Sequence, residues 1–230
     1  MAKPVVREPL RRNSRANRAR ILATARRELG RNPDITLEEL ARAAGVVRRT
    51  LFGHFPGREA LLEALAEEAA EALRLALPGG AEPTGQEAGK GAERESDEGA
   101  LARLVYALWP VGDRYRLLLS LAQRDLGAER VAEVLAPARE QVTAILERGQ
   151  RDGVFHTHLP AAVLSAGLEA MTVALLEAVN TGALEDDGTR AATAMLIAAG
   201  VPEVRAHAVV QAVGAVEAAS VVVAESADDD

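Results

Sequence analysis

The sequence contains no cysteine, which excludes disulfide bonds and thiolate metal sites. A cysteine-free chain is typical of a reducing compartment, and we expect a cytoplasmic location. Aromatic residues make up only 3% of the chain, whereas alanine, leucine, glutamate and arginine are abundant. This composition favours an all-α fold.

Long hydrophobic runs are also scarce. No apolar run approaches the roughly 18 residues needed to cross a bilayer, so we expect no membrane association. The N-terminus carries arginines without an apolar segment and does not resemble a signal peptide. The 230 residues are enough to bury a sizeable core in one large or two small domains.

The formal net charge of −7 conceals an asymmetry along the chain. Residues 1–60 hold 14 Lys and Arg against six Asp and Glu, whereas the rest of the chain holds 13 against 28. A basic N-terminal part on an acidic body predicts that one end of the protein binds a polyanion such as nucleic acid.

The stretch TLEELARAAGVVRRTLFGHFPGREALL, residues 36–62, predicts two short helices, a glycine turn between them and the start of a third helix. Thr36 and Glu39 have the spacing of a capping box, and Gly45 supplies the turn. The second short helix begins with two arginines. A short helix, a tight turn and a basic second helix form the helix-turn-helix arrangement of DNA-binding proteins.

Within this stretch, AAGVVRRTLFGHFPGREALL resembles the DNA-binding motif of the tetracycline-repressor (TetR) family of transcriptional regulators, and with the preceding helix the resemblance covers about residues 15–70. It implies an all-α fold with an N-terminal three-helix DNA-binding domain and a helical-bundle domain for ligand binding and dimerisation. It also implies a homodimer, paired through two late helices of each chain, that binds double-stranded operator DNA. Repression, with release by a small-molecule effector, is the usual mode of the family.

Seven residues are candidates for DNA contacts. Arg48 and Arg49 begin the recognition helix, where arginine commonly reads guanine; the alternative is that they only neutralise phosphates. The resemblance implies backbone contacts for His54 and Arg58, and Thr36 would direct a helix N-terminus at a phosphate. The full set is Thr36, Arg48, Arg49, Thr50, Phe52, His54 and Arg58.

Two of the residues in this motif depart from the family pattern. Val47 stands where a small hydroxyl residue is common, so a polar contact or cap is lost. Phe52 replaces a frequent tyrosine and cannot donate to a phosphate. Each change would reduce DNA affinity by about one hydrogen bond, on the order of 1 kcal/mol. Thr50 could contact a thymine methyl group or a phosphate, or face solvent.

Helical periodicity and breaker residues divide the whole chain. In the body we expect a helix to end or kink at Pro110 and a separate helix to begin near Tyr115. The predicted domains are a flexible basic arm at 1–14, the DNA-binding domain with its connecting helix at 15–77, a flexible linker at 78–99, the helical body at 100–222 and an acidic tail at 223–230.

The resemblance implies a small-molecule pocket inside the helical body. Tyr106, Trp109 and Tyr115 lie within ten residues in an aromatic-poor chain, and Met171 and Met195 are further candidates to line the pocket. The alternative is that these side chains are ordinary core residues. A mostly apolar lining would favour a lipophilic effector.

Motifs for catalysis are absent from the sequence. It contains no Gly-x-Ser-x-Gly, phosphate loop or HExxH, so we expect no enzymatic activity and no cofactor. His156 and His158 flank a predicted turn, but further ligand residues do not cluster nearby, so we expect no metal. Two alternatives stay open: a DNA-binding regulator without a small-molecule effector, constitutive or controlled by a protein partner, and an enzyme that uses the helical body.

Overall fold

The computed structural model describes residues 7–77 and 96–227, and these residues form nine α-helices and no β-strand. The predicted all-α fold is confirmed. The helices are α1 (Arg7–Arg31), α2 (Leu37–Ala43), α3 (Arg48–His54), α4 (Arg58–Ala76), α5 (Asp97–Asp125), α6 (Ala128–Arg151), α7 (Ala161–Asn180), α8 (Thr189–Ala198) and α9 (Glu203–Ala227).

The described chain divides into two compact units. The first contains residues 7–70 and 117–134, and the second contains residues 71–77, 96–116 and 135–227. The sequence-based division kept residues 117–134 with the body, because their helical pattern is continuous with that of their neighbours. The predicted domain boundaries therefore stay predictions.

The core of the first unit is made by the apolar faces of α1 to α4. Leucine and isoleucine recur at helical spacing, and burial of each large side chain stabilises the fold by about 1.5–3 kcal/mol. The following residues are at most 4% exposed: Ile21, Leu22, Ala25, Leu29, Leu40, Leu51, Phe55, Leu61 and Leu65.

Close approach within the first unit depends on Gly30, in the last turn of α1. The side chain of Leu117 occupies the space where a β-carbon at Gly30 would lie. An ion pair between Arg26 and Glu68 joins α1 to α4. These contacts hold the helices that support α2 and α3.

The second unit is a helical body around one apolar cluster, to which α5 to α9 all contribute. The turn after α6 is fixed by Phe155, which is 3% exposed and whose ring lies on Gly149. The amides of Val154 and Phe155 both donate to the Gly149 carbonyl, at 2.7 and 3.1 Å. The largest members of the cluster include Leu101, Leu104, Trp109, Leu146, Phe155, Leu164, Leu168, Leu176, Met195, Leu196 and Val210.

One predicted break does not occur. The expected helix end at Pro110 and the separate helix expected near Tyr115 were wrong, because α5 continues as one helix from Asp97 to Asp125 with Pro110 inside it. The alternative expectation, a kink at Pro110, stays a prediction. Proline removes one helical hydrogen bond and opposes the carbonyl four residues earlier. Burial of Trp109 and Tyr115 on either side of the proline offsets that cost.

Two helices extend beyond their predicted ends. The helix α1 begins at Arg7, so residues 7–14 of the predicted arm are helical, and the flexibility of the arm stays a prediction. Arginine, leucine and glutamate favour helix, and Pro9 is compatible with a first turn. The helix α9 reaches Ala227 and includes five residues of the predicted acidic tail.

The remaining parts of the predicted arm, linker and tail lie outside the described residues. They are residues 1–6, 78–95 and 228–230.

The helix α7 is more apolar than the sequence analysis expects. By length and composition alone, Ala161–Asn180 is sufficient to cross a membrane, so the expectation that no run approaches this length was wrong. Its leucines, valines and alanines supply the apolar character. One such helix is weak evidence for a membrane role, but only 22% of its apolar window is buried, which leaves much of it without cover.

Candidate nucleic-acid interface

The predicted capping box is present at the start of α2. The Thr36 amide donates to Glu39 Oε2 at 2.9 Å, and the Glu39 amide donates to Thr36 Oγ1 at 3.2 Å. Hydrogen bonds from Thr36 lower the pKa of Glu39. The Thr36 side chain is thus engaged within the protein, and Glu38 and Glu39 place negative charge in the same turn. The predicted phosphate contact at Thr36 stays a prediction.

The turn between α2 and α3 follows the sequence prediction closely. Gly45 has φ 62°, a left-handed conformation that glycine adopts at little cost. Val47 then caps α3 with extended backbone but makes no side-chain cap hydrogen bond, and its side chain is 69% exposed. The loss of a polar cap inferred from the sequence is therefore visible in the structure.

Arg48, the first residue of α3, is held on two sides. Its Nη2 forms an ion pair with Glu38 Oε1 at 3.0 Å, and its Cζ lies 5.1 Å from the centre of the Phe52 ring. The side chain is nevertheless 70% exposed. It is therefore accessible to DNA while it contacts Glu38 and Phe52.

Arg49 and Thr50 have different environments from Arg48. The Arg49 side chain is exposed and has no partner among the described residues. Thr50 is half-buried, and its amide donates to the Val47 carbonyl at 2.9 Å. Arg49 is therefore accessible to DNA without a competing contact from the described part of the protein, whereas Thr50 is partly covered.

At the C-terminal end of α3, His54 is half-buried and its ring centre lies 6.2 Å from that of Phe55. Phe55 is buried, and the Arg18 guanidinium lies 5.4 Å from its ring centre. This stacking ties α1 to the end of α3. The backbone contact predicted for His54 stays a prediction.

Arg58, the first residue of α4, has three protein partners. Its guanidinium donates to the carbonyls of Pro33 and Ile35 and pairs with Asp125 Oδ2 at 3.2 Å. Hydrogen bonds from Arg124 and Arg58 lower the pKa of Asp125. This placement ties the loop before α2 to the end of α5, so the phosphate contact predicted for Arg58 would have to share or break these bonds.

The structure brings four of the five predicted ligand-binding residues to one apolar cluster. Trp109 and Met195 are buried members of the cluster, and Tyr106 and Met171 are partly buried and pack against the cluster. Tyr115 is buried but lies outside this cluster. These residues are positioned as core, and their role as pocket residues stays a prediction.

Polar atoms of the aromatic candidates are bonded within the protein. Trp109 Nε1 donates to the Asp186 carbonyl at 3.2 Å, and the Tyr106 hydroxyl bonds to Thr189 Oγ1 at 3.0 Å. The Asp186 carboxylate in turn accepts from amides at the start of α8, including that of Ala191 at 2.9 Å. The sequence reading missed Asp186, although an acidic residue before a helix is a capping signal.

Metal ligation finds no support in the described ranges, where no group of three His, Cys, Asp or Glu side chains is arranged to hold an ion. His156 and His158 stack with ring centres 5.2 Å apart. His156 Nε2 lies 3.0 Å from the Ala198 carbonyl, which fixes this turn to the end of α8.

Sequence reasoning also missed Glu38 and Asp125. Glu38 contacts a residue ten positions away, and Asp125 contacts one 67 positions away. Each looks like an ordinary helical surface carboxylate in the sequence. Only the packing of α2 on α3, and of α5 near α4, brings these carboxylates to arginines.

The sequence profile described as "Bacterial regulatory proteins, tetR family" matches residues 21–65. The matched residues include the C-terminal part of α1, all of α2 and α3, and the start of α4. Comparison with curated protein sequences gives no significant match.

Solved structures share the fold at low identity. A regulatory protein in the tetR family from Rhodococcus RHA1 is 18% identical over 81% of this chain and 98% of its own, with a TM-score of 0.64. A gamma-butyrolactone receptor (ArpA-like protein) is 22% identical over 89% and 98%, with a TM-score of 0.63. The fatty acid degradation regulator FadR from Bacillus halodurans is 17% identical over 80% and 99%, with a TM-score of 0.58.

Proposed function

Because the chain carries the DNA-binding domain of the TetR family of bacterial regulatory proteins and shares the fold of that family, we propose that it is a sequence-specific transcriptional regulator. It binds a pseudo-palindromic operator as a homodimer and acts as a repressor. A small, mostly lipophilic effector releases it from the DNA.

The observation that carries this proposal is the exposure of two arginines at the start of the second helix of a helix-turn-helix. In such motifs the N-terminal residues of that helix contact base edges in the major groove. Arg48 and Arg49 are both exposed there. The positive balance of the first 60 residues adds a general attraction to phosphates.

Support for a homodimer comes from exposed apolar faces on α7 and α9. Val163 is 53% exposed and Val204 is 85% exposed. Small residues continue each face at helical spacing, and a second copy of the chain would cover them. The exposed residues are Val163, Ala166, Gly167, Ala170 and Ala174 on α7, and Val204, Ala208, Ala212, Ala215 and Val216 on α9.

Support for a small-molecule effector comes from the apolar residues of the body and from one structure with the same fold. The body is built around an apolar cluster that contains Trp109 and Met195, and a relative in fold is named as a receptor for a gamma-butyrolactone. An apolar site with a few polar groups suits a lipophilic ligand. The polar groups here would be those of Tyr106 and Trp109.

A second candidate function is regulation without a small-molecule effector. The observation that favours it is the satisfaction of Tyr106 and Trp109 by Thr189 and Asp186 within the protein. A ligand that used these groups would have to displace existing hydrogen bonds. A panel of lactones and acyl compounds, tested for duplex release and for raised unfolding temperature, separates the candidates; if no compound does either, the second candidate is favoured.

Base reading is tested with Arg48→Ala and Arg49→Ala on a duplex enriched from a random-sequence pool, compared with a scrambled duplex at one salt concentration. At least one variant should lose selectivity by about 1–3 kcal/mol, the worth of a bidentate arginine–guanine contact. The control is Arg31→Ala, which removes an equal charge from an exposed position on α1. Unchanged selectivity in both α3 variants would contradict the assignment of these arginines to bases.

A further inference from the structure

Arg48 is the arginine of the pair that contacts other side chains of the protein, Glu38 and Phe52. We propose that Glu38 and Phe52 are positioning residues that aim Arg48 at one base of each half-site, so that Arg48 rather than Arg49 sets base preference there. The inference rests on the proposed function and names the residues that determine its specificity.

The geometry confines the guanidinium from two directions. Glu38 is in the first turn of α2, and its Oε1 lies 3.0 Å from Arg48 Nη2. Phe52 is one helical turn beyond Arg48 in α3, and its ring centre lies 5.1 Å from Arg48 Cζ. A carboxylate at one edge and a ring against its face leave the planar group little rotational freedom.

The Arg48–Glu38 ion pair itself adds little to stability. The side chains of Arg48 and Glu38 are 70% and 43% exposed, and ion pairs in such positions contribute little to folding. A carboxylate at a DNA-binding surface also repels phosphates. The helix dipole favours a carboxylate in the first turn of α2, and the contact with Arg48 gives this carboxylate a second role, the positioning of the guanidinium.

Enough donors remain for base reading. A guanidinium carries five N–H groups, and the contact with Glu38 is made through Nη2. The others can meet the two acceptors of guanine in the major groove. Because the side chain is already ordered, less conformational entropy is lost when that contact forms.

Phe52 has a role that needs no hydroxyl group: its ring contacts the Arg48 guanidinium. It cannot donate to a phosphate, but the face of its ring carries the Arg48 guanidinium. Arg49 has no such support among the described residues and is exposed. We therefore assign Arg49 to phosphates, where a mobile cation is sufficient.

The test is selection of duplexes from a random-sequence pool by the wild-type protein and by variants, with base preference read at each position. Arg48→Ala identifies the position read by Arg48. Glu38→Gln and Phe52→Leu should relax preference at that same position by about three- to tenfold, part of the discrimination that a bidentate contact supplies. Phe52→Tyr keeps the ring and should keep the preference.

A charge-matched variant and a stability measurement separate the positioning of Arg48 from a general effect of charge and from a loss of fold. Glu59→Gln removes the same charge from the exposed first turn of α4 and should leave the preference at every position unchanged. Arg49→Ala should weaken binding to all duplexes alike. Thermal unfolding of each variant shows whether a fold defect accounts for a loss.

Several results overturn the inference. A Glu38→Gln profile that matches Glu59→Gln at every position overturns it. So does a sharper preference in Glu38→Gln, which would mean that Glu38 holds Arg48 away from DNA. Relaxation by Arg49→Ala at the position assigned to Arg48 would also overturn it. If the wild-type protein enriches no sequence, the proposed function itself fails; enrichment by the wild type with an unaltered Glu38→Gln profile refutes only the aiming role.

Discussion

At the scale of single residues, the two helices of the helix-turn-helix begin differently. Thr36 and Glu39 satisfy each other's amides at the start of α2. Val47 leaves the corresponding amides of α3 without a side-chain acceptor. The recognition helix has only seven residues, so its ordering depends on packing of Leu51 and on the residues around its first turn.

A serine at position 47 should stabilise the protein. Val47→Ser supplies the missing cap acceptor and should raise the free energy of unfolding by about 1 kcal/mol. Chemical denaturation measures this directly. Val47→Ala removes the same exposed bulk without adding a hydroxyl, and equal stability of the serine and alanine variants would contradict the capping argument.

Gly149 is a residue where the missing side chain is a packing requirement. A β-carbon there would overlap the ring of Phe155, so Gly149→Ala should destabilise the protein by about 1–3 kcal/mol. Gly53→Ala, in α3, meets nothing within 4 Å and should stabilise by up to about 1 kcal/mol through helix propensity. A denaturation curve in which Gly149→Ala is at least as stable as the wild type would refute the overlap.

At the scale of elements, an arginine at the start of α4 connects two parts of the first unit, the loop before α2 and the end of α5. Arg58 binds the loop before α2 through two carbonyls and binds α5 through Asp125. The tie sets where α2 begins relative to α4. Because α2 and α3 pack together, it also supports the position of the recognition helix.

Asp125 should give this tie a pH dependence. Hydrogen bonds from Arg124 and Arg58 depress its pKa in the folded state, so the folded protein binds fewer protons than the unfolded chain. The contribution of Asp125 to the free energy of unfolding is present above the ordinary aspartate pKa and is lost as the pH falls below about 4.

Asp125→Asn should therefore flatten the acid side of the stability profile and cost about 0.5–1 kcal/mol at neutral pH. Urea denaturation between about pH 3 and 7 measures both effects. The control is Asp34→Asn, whose carboxylate is 88% exposed and 3.8 Å from Arg124. An acid limb as steep in Asp125→Asn as in the wild type would contradict this account.

The elements that the sequence predicted best are those fixed by local chemistry. The capping box at Thr36 and the positive φ of Gly45 follow from residues within a few positions of each other. The continuation of α5 through Pro110 could not be predicted, because the packing that offsets the proline comes from distant residues. For the same reason the sequence missed the carboxylate partners of Arg48 and Arg58.

At the scale of the whole molecule, charge and apolar surface are segregated along the chain. Positive charge prevails in the first 60 residues, and exposed apolar faces occur on α7 and α9. A two-fold dimer through the apolar faces would present two recognition helices to one duplex. The protein would then read two related half-sites.

A charge on the α7 face should break such a dimer. Ala170→Glu buries a carboxylate in the proposed interface and should yield a folded monomer at micromolar concentration, measured by sedimentation. The control is Ala144→Glu at an exposed position on α6, and this variant should stay dimeric. A dimer that persists in Ala170→Glu would place the interface elsewhere.

The most direct test of the central claim is selection of duplexes from random-sequence DNA by the purified wild-type protein, with the number of chains per duplex measured on the enriched sequence. We predict a pseudo-palindrome whose half-sites are related by two-fold symmetry and lie about one helical turn, or a multiple, apart. Two or a larger even number of chains should bind each duplex. Failure to enrich any sequence at low salt would contradict the account.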